Sequence, residues 1–337
     1  MKTAPPAHIM GFGTRTTPHV LSQHYSGGSW GAAKIADIAP LALAPLTHAL
    51  HYGASIFEGF KVHRQPDGTL AFFRLHDHLR RLNRSAQRLC LRAVDADELG
   101  ANIVELVRRD AAHVPAPPEA LYVRPLMFAD DAVLGYNTPS SITLIVTLVP
   151  VPVLFKGSGG VRLRTETRYV RSAPGGTGSA KCAGNYAGAL LAQREARAQG
   201  FDEVLWLDAC ERRWLEEAGG MNLMLVRAGK LSTPPLSDTI LPGITRDSLL
   251  ALARASGIPA EERPISTDPE DWREVSEAFT AGTAAGTAHI REIVHEGRVL
   301  FARATSGPVA RQLGERLQRI KFGQEPDPFG WRLPVPG

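Results

Sequence analysis

A single lysine sits in a run of small residues at Gly175 to Tyr186, GGTGSAKCAGNY. Most lysines are solvated surface charges. One in an apolar, small-residue setting has a further use: desolvation disfavours the ammonium and frees the amine to attack a carbonyl. A phosphate loop is the competing reading, and it fails on chemistry. That motif needs glycine before the lysine and a hydroxyl after it, whereas Ala180 and Cys182 flank Lys181. Three more stretches carry potential chemistry. Leu241 to Asp247, LPGITRD, puts small and hydroxylic residues at a helix start, which suits an anion through backbone N–H groups and the helix dipole, or equally a plain N-cap by Thr245. Ala281 to Ala288, AGTAAGTA, lets backbone amides approach a ligand, or is a turn kept small for packing. Glu216-Glu217 lies between two strand-like runs. Adjacent residues on an extended chain face opposite sides, so one carboxylate is expected inward and its neighbour solvated. The inward one needs a cationic partner, either a protonated ring nitrogen or Arg212 or Arg213.

The elements that must position these residues are legible from periodicity. Leu70 to Arg74 reads as a strand. Leu75, Leu79, Leu82, Ala86 and Leu89 then recur at helical spacing, with Arg80, Arg84 and Arg88 on a solvated side. Asn185 to Gln199 and Thr245 to Ser256 read as helices closed by Gly200 and Gly257; Glu203 to Asp208 and Asn222 to Val226 read as strands. Ile142 to Phe155 is too short and too proline-rich to span a bilayer and reads as a buried strand running into a linker. Proline and glycine around 151–160 mark that linker, between a small α+β domain over 1–150 and a large α+β domain over 161–337 that carries Lys181. The fold class is thus α/β in the broad sense, with two domains.

Bulk properties exclude several classes. With 44% apolar and 21% charged residues the chain is that of a soluble globular protein, and a net charge of +4 without aromatic interleaving argues against nucleic acid as a partner. Cys90, Cys182 and Cys210 are scattered, so neither a disulfide framework nor a metal site is expected, and a reducing cytoplasm is the expected location. Cys182 reads as a small packing residue. No signal-peptide-like apolar run opens the chain.

Taken in order, HALHYGASIFEGFK (48–61), FRLHDHLRRL (73–82), YVRPLMF (122–128), GGTGSAKCAGNY (175–186), EVLWLDACERRWLEEAGGMNL (203–223), LPGITRD (241–247) and AGTAAG (281–286) form a recognisable series. The chain resembles the branched-chain amino acid aminotransferases, within the fold-type IV family of pyridoxal-phosphate enzymes, over roughly Pro40 to Pro334. FGWRLPV at the end looks like a longer, eukaryote-like branch of that family. The resemblance implies a two-domain fold-type IV structure and pyridoxal 5'-phosphate as cofactor. It implies transfer of the amino group of leucine, isoleucine or valine to 2-oxoglutarate by a homodimer. Lys181 would bind the cofactor as a Schiff base and shuttle the substrate proton. Glu217 would face the pyridine nitrogen. Arg81, Ile244, Thr245 and Thr283 would hold the phosphate, and Tyr186 would lie near the phenolic oxygen. Tyr52 and Phe57 would wall the side-chain pocket, Arg124 with Tyr122 would take a distal carboxylate, and the amides of Thr283 and Ala284 the α-carboxylate. A fold-type IV transaminase for an aromatic, D- or specialised donor, or an enzyme like the aminodeoxychorismate lyases, is the alternative. The chain departs from the pattern at Ala183, at the acid pair Asp130-Asp131, and in lacking paired thiols near 281–288, where no thiol redox switch is expected.

Overall fold

A computed structural model describes residues 13–154 and 159–337. Contacts group the chain into two compact units: 1–153 with Ala180–Gly184 and Arg319–Gly337, and Leu154–Ser179 with Asn185–Gln318. Division of the sequence at 151–160 puts everything from 161 onward in one domain. In the structure the segment bearing Lys181 and the C-terminal segment instead belong with the first unit. Residues 155–158 of the expected linker lie outside the described residues.

The first unit is built on a nine-stranded sheet. Its strands run Arg332–Val335, Leu70–Phe73, Phe60–Arg64, Ala120–Ala129, Ile142–Val151, His19–Ser26 and Ser29–Trp30, with Lys34–Asp37 and Ser55–Phe57 paired at its sides. One face packs on the helices Leu75–Arg88 and Ala96–Arg109. Phe60, Val62, Leu121 and Val123 alternate into that core, where they meet Leu75, Leu79, Leu82 and Ala86, the stripe predicted from spacing. Alternation sends Lys61, His63, Tyr122 and Arg124 to the opposite face.

The second unit carries the other nine-stranded sheet. Leu215–Ala218, Glu203–Leu207, Val161–Glu166, Gly286–His295, Val275–Gly282 and Met221–Arg227 follow in order, and the first of these also pairs with the last. The strand pairing therefore closes on itself, and the enclosed face holds Leu163, Leu205, Leu207, Leu223 and Ile290. The helix read over 185–199 is two pieces, Ala183–Ala187 and Leu190–Ala198. Among the described residues no helix is long and apolar enough to cross a membrane, and no group of His, Cys, Asp and Glu could hold a metal ion.

Candidate active site

In the first unit, Lys181 is placed by its backbone. Its amide donates to Ser85 Oγ at 2.9 Å, its carbonyl accepts from the Phe57 amide at 2.9 Å, and Cys182 forms a β-bridge with Ile56. Cys182 is buried in the apolar core, as a packing residue is. The helix Leu75–Arg88 supplies His78, Arg81 and Ser85 at spacings of three and four, one stripe beside its apolar face. All three are at most 3% exposed. Arg81 is thus a buried cation, unlike its solvated neighbour Arg80, which pairs with Asp77.

The partner of Arg81 is Glu58, fully buried between two strands. Arg81 Nε donates to Oε1 at 2.6 Å and Nη2 to Oε2 at 2.9 Å, a bidentate fork that fixes the guanidinium plane. His78 Nδ1 lies 2.9 Å from Oε2. Burial pushes the Glu58 carboxyl up, but the Arg81 charge and the hydrogen bonds from His78 and Arg81 outweigh it and hold the group well below the usual carboxylate range. Burial holds His78 down despite its hydrogen bond to Glu58, so the imidazole is neutral and its Nδ1–H is the donor.

Phe57 is the point of convergence. Lys181 Nζ lies 4.9 Å from its ring centroid and the Arg124 guanidinium 4.6 Å, while Arg124 Nη2 donates to the Tyr122 hydroxyl at 3.3 Å. The structure therefore brings Lys181, Phe57, Tyr122 and Arg124 together. Tyr52 stands apart: it is 40% exposed, donates to the Leu134 carbonyl at 2.6 Å and rests edge-on against Tyr136. Gly59 is spaced by Tyr122, since a Cβ there would lie 1.6 Å from the tyrosine hydroxyl oxygen. Gly59→Ala is expected to drive the ring from its place and to lower stability by about 1–3 kcal/mol, read by urea unfolding.

In the second unit, Glu217 is 1% exposed. Arg171 Nε lies 2.8 Å from its Oε2, and Asn222, its register partner across the hairpin, donates Nδ2–H to Oε1 at 3.2 Å. The cation at Glu217 is Arg171, not Arg212 or Arg213; the latter pairs with Asp268. Glu216 is also buried, contrary to the expected inward and outward pair. It accepts from the Thr239 hydroxyl at 2.5 Å, and burial raises its carboxyl. Asn222 also donates to the Leu241 carbonyl at 3.0 Å and so ties Glu217 to the LPGITRD turn. There the helix Ile244–Ala255 is capped by Gly243, not by Thr245, and no side chain caps it. A Cβ on Gly243 would collide with Asn222 Oδ1 at 1.9 Å. Ile244 and Thr245 are buried in the first turn. Thr283 and Ala284 form the half-buried turn between strands ending at Gly282 and starting at Gly286. Tyr186 is half-buried in the short helix Ala183–Ala187.

Glu58, His78, Ser85, Arg171 and Asn222 were not singled out by sequence reasoning. A usable signal existed for one of them: Glu58 is a carboxylate inside the apolar run SIFEGF, where a charge must find a partner. Asp130 and Asp131 serve their own loop. Asp130 accepts from Thr143, and Asp131 from Ser140 and Ser141.

The chain matches the amino-transferase class IV family over residues 55–293. It is 40% identical to the branched-chain-amino-acid aminotransferase of Mycobacterium tuberculosis over 336 residues, covering 95% of this chain and 91% of that protein. Among solved structures it is similar to the Escherichia coli branched-chain amino acid aminotransferase, with a TM-score of 0.81, 28% identity, and coverage of 95% of this chain and 100% of that one. It is similar as well to the branched-chain aminotransferase of Thermoproteus uzoniensis with norvaline, with a TM-score of 0.78, 31% identity, and coverage of 94% and 100%. The chain belongs to the class IV aminotransferases, fold-type IV enzymes, on the branch of the branched-chain amino acid aminotransferases.

Proposed function

We propose that the protein transfers the amino group of L-leucine, L-isoleucine or L-valine to 2-oxoglutarate, giving branched-chain 2-oxo acids and L-glutamate, with pyridoxal 5'-phosphate as cofactor. One observation carries the reading. The Phe57 ring offers an apolar wall flanked by the Lys181 amine and, on the same residue, by Arg124 hydrogen-bonded to Tyr122. An apolar side chain and a distal carboxylate can then alternate in one pocket, the first against the ring and the second on the guanidinium.

The donor set fits the cofactor's chemistry. Its aldehyde calls for an amine, Lys181; its phosphate for a buried cation, Arg81; and its pyridine nitrogen for a buried carboxylate, Glu217. Ile244, Thr245 and Thr283 are proposed as further phosphate contacts and Tyr186 as a contact to the phenolic oxygen. No side chain caps the start of that helix, a position whose backbone N–H groups and dipole suit an anion. When bound, the cofactor supplies an electron sink for the bond broken at the substrate Cα. Lys181 Nζ takes the proton from that carbon and returns it. Glu217 keeps a proton on the ring nitrogen by its charge. The amides of Thr283 and Ala284 are proposed to orient the α-carboxylate and Phe57 the side chain; Tyr52, exposed and bonded to the Leu134 carbonyl, would have to turn from that contact to share the role.

A panel of amino donors tests the reading: inactivity with both L-leucine and L-isoleucine rejects it in favour of another donor class. Arg124→Gln is expected to lower kcat/KM for 2-oxoglutarate by roughly 100-fold and for L-leucine by less than about tenfold. Equal losses on both substrates would remove Arg124 from carboxylate recognition. The proposal includes a homodimer in the cytoplasm, to which light scattering and cell fractionation speak directly.

A further inference from the structure

The face of the first sheet that carries Tyr122 and Arg124 continues into a second group of basic side chains. Lys61 pairs in register with Tyr122, and His63 follows two residues on, on the same face. Lys321, at the end of the helix Pro308–Lys321, lays its Nζ 4.9 Å from the Phe73 ring centroid. Val62 pairs with Phe72, so Phe73 stands beside Lys61 on the neighbouring strand. Phe322 packs edge-on against His63 with centroids 4.7 Å apart. Gln65 ties the group together, since its Nε2 donates to the carbonyls of both His63 and Lys321 at 3.1 Å.

His63 is 2% exposed and Lys321 5%. Among the described residues neither ring nitrogen of His63 has a hydrogen-bond partner, and no carboxylate acts on Lys321. A buried ammonium with no counter-charge and a buried imidazole with both nitrogens unmatched each cost stability. A bound anion would answer both at once. A halide offers a single point acceptor, whereas a tetrahedral oxyanion offers several oxygens to donors on different sides and, when divalent, matches two ammonium charges. A hollow of about 530 Å³ opens beside Gln65, lined also by Gly323 and Arg332; Lys61, His63 and Lys321 do not line it.

We propose that Lys61, His63 and Lys321 form a binding site for a small divalent oxyanion of the phosphate or sulfate class, separate from the carboxylate position at Arg124. Burial and the neighbouring Lys61 bring Lys321 down to about 7, and burial brings Lys61 to about 8, so both amines can take up a proton near neutral pH when an anion arrives.

The test is calorimetric titration of inorganic phosphate, and separately of sulfate, into the full chain loaded with pyridoxal phosphate, against chloride at equal ionic strength. Loading keeps the cofactor's own phosphate position filled. One equivalent is expected to bind with Kd of roughly 1 mM or tighter. Lys321→Met and His63→Phe are each expected to weaken it by about tenfold or more, while Arg124→Gln leaves it within about twofold. Phosphate should also raise the Tm of the unaltered chain and not that of Lys321→Met. Absence of binding at about 50 mM phosphate, affinity untouched by both Lys321→Met and His63→Phe, or loss in Arg124→Gln overturns the proposal. If Lys321→Met does not fold, His63→Phe decides.

Discussion

Replacing Lys181 with alanine is expected to lower turnover by roughly 10⁴-fold or more, because one amine is asked both to bind the cofactor covalently and to move the substrate proton. The variant should fold. The contacts that place residue 181 are its amide on Ser85 Oγ, its carbonyl on the Phe57 amide and the bridge made by Cys182, and alanine keeps all of them. Its unfolding free energy is expected within about 1 kcal/mol of the parent. Borohydride treatment of the parent, followed by peptide mapping, should fix the cofactor on the peptide that contains Lys181 and on no other. A small primary amine added to Lys181→Ala should restore part of the turnover, which separates lost chemistry from lost structure. Turnover within about tenfold of the parent, or an adduct on another lysine, would sink the assignment.

The lysine was legible because its setting is local: small residues and no Mg²⁺-binding hydroxyl leave few uses for an amine at that place. The helix Leu75–Arg88 was legible for the same reason, since spacing along one element declares which face is apolar. What the residues concealed was pairing across the chain. Glu58 and Arg81 are 23 positions apart, and nothing local says that the arginine turns inward to a carboxylate. Arg171 reaches Glu217 from a loop, a partner farther along the chain than Arg212 or Arg213. Carboxylates 216 and 217 are both buried, and the pairing of their strand slips between Leu205 and Leu207, so alternation did not predict exposure. Gly178, three residues before Lys181, is fixed by a neighbour that the sequence around it does not show. A Cβ there would come within 2.4 Å of the Thr239 carbonyl oxygen, so the glycine marks close packing of two backbones. Such close approach depends on tertiary structure that no short window of sequence contains.

Glu58→Ala is expected to destabilise the cofactor-free protein by about 3–5 kcal/mol at neutral pH, among the largest effects of any single substitution here. The loss comes less from the missing attraction than from what is left behind: Arg81 stays charged at 3% exposure and His78 keeps a donor with no acceptor. Glu58→Gln retains shape and one acceptor, so it should fall between parent and alanine. The pH dependence follows in sign. The carboxyl in the folded chain is held below its ordinary value of 4.5, so the unfolded chain binds the proton more readily. Its contribution is complete above that ordinary value and is lost as pH falls from about 5 toward the depressed folded value. His78 adds in the same direction: its folded value is lowered from 6.5, so acid favours the unfolded, protonated imidazole. Urea unfolding of the parent between about pH 7 and pH 3.5 should show stability falling throughout, with His78 contributing first and Glu58 below about pH 5. The same fork that stabilises the chain also aims Arg81, so Glu58→Gln should release pyridoxal phosphate faster on dialysis even where it stays folded. A Glu58→Ala protein within about 1 kcal/mol of the parent would mean that Arg81 finds another anion or reaches water, and the buried pair would lose its standing as the anchor of this half of the site.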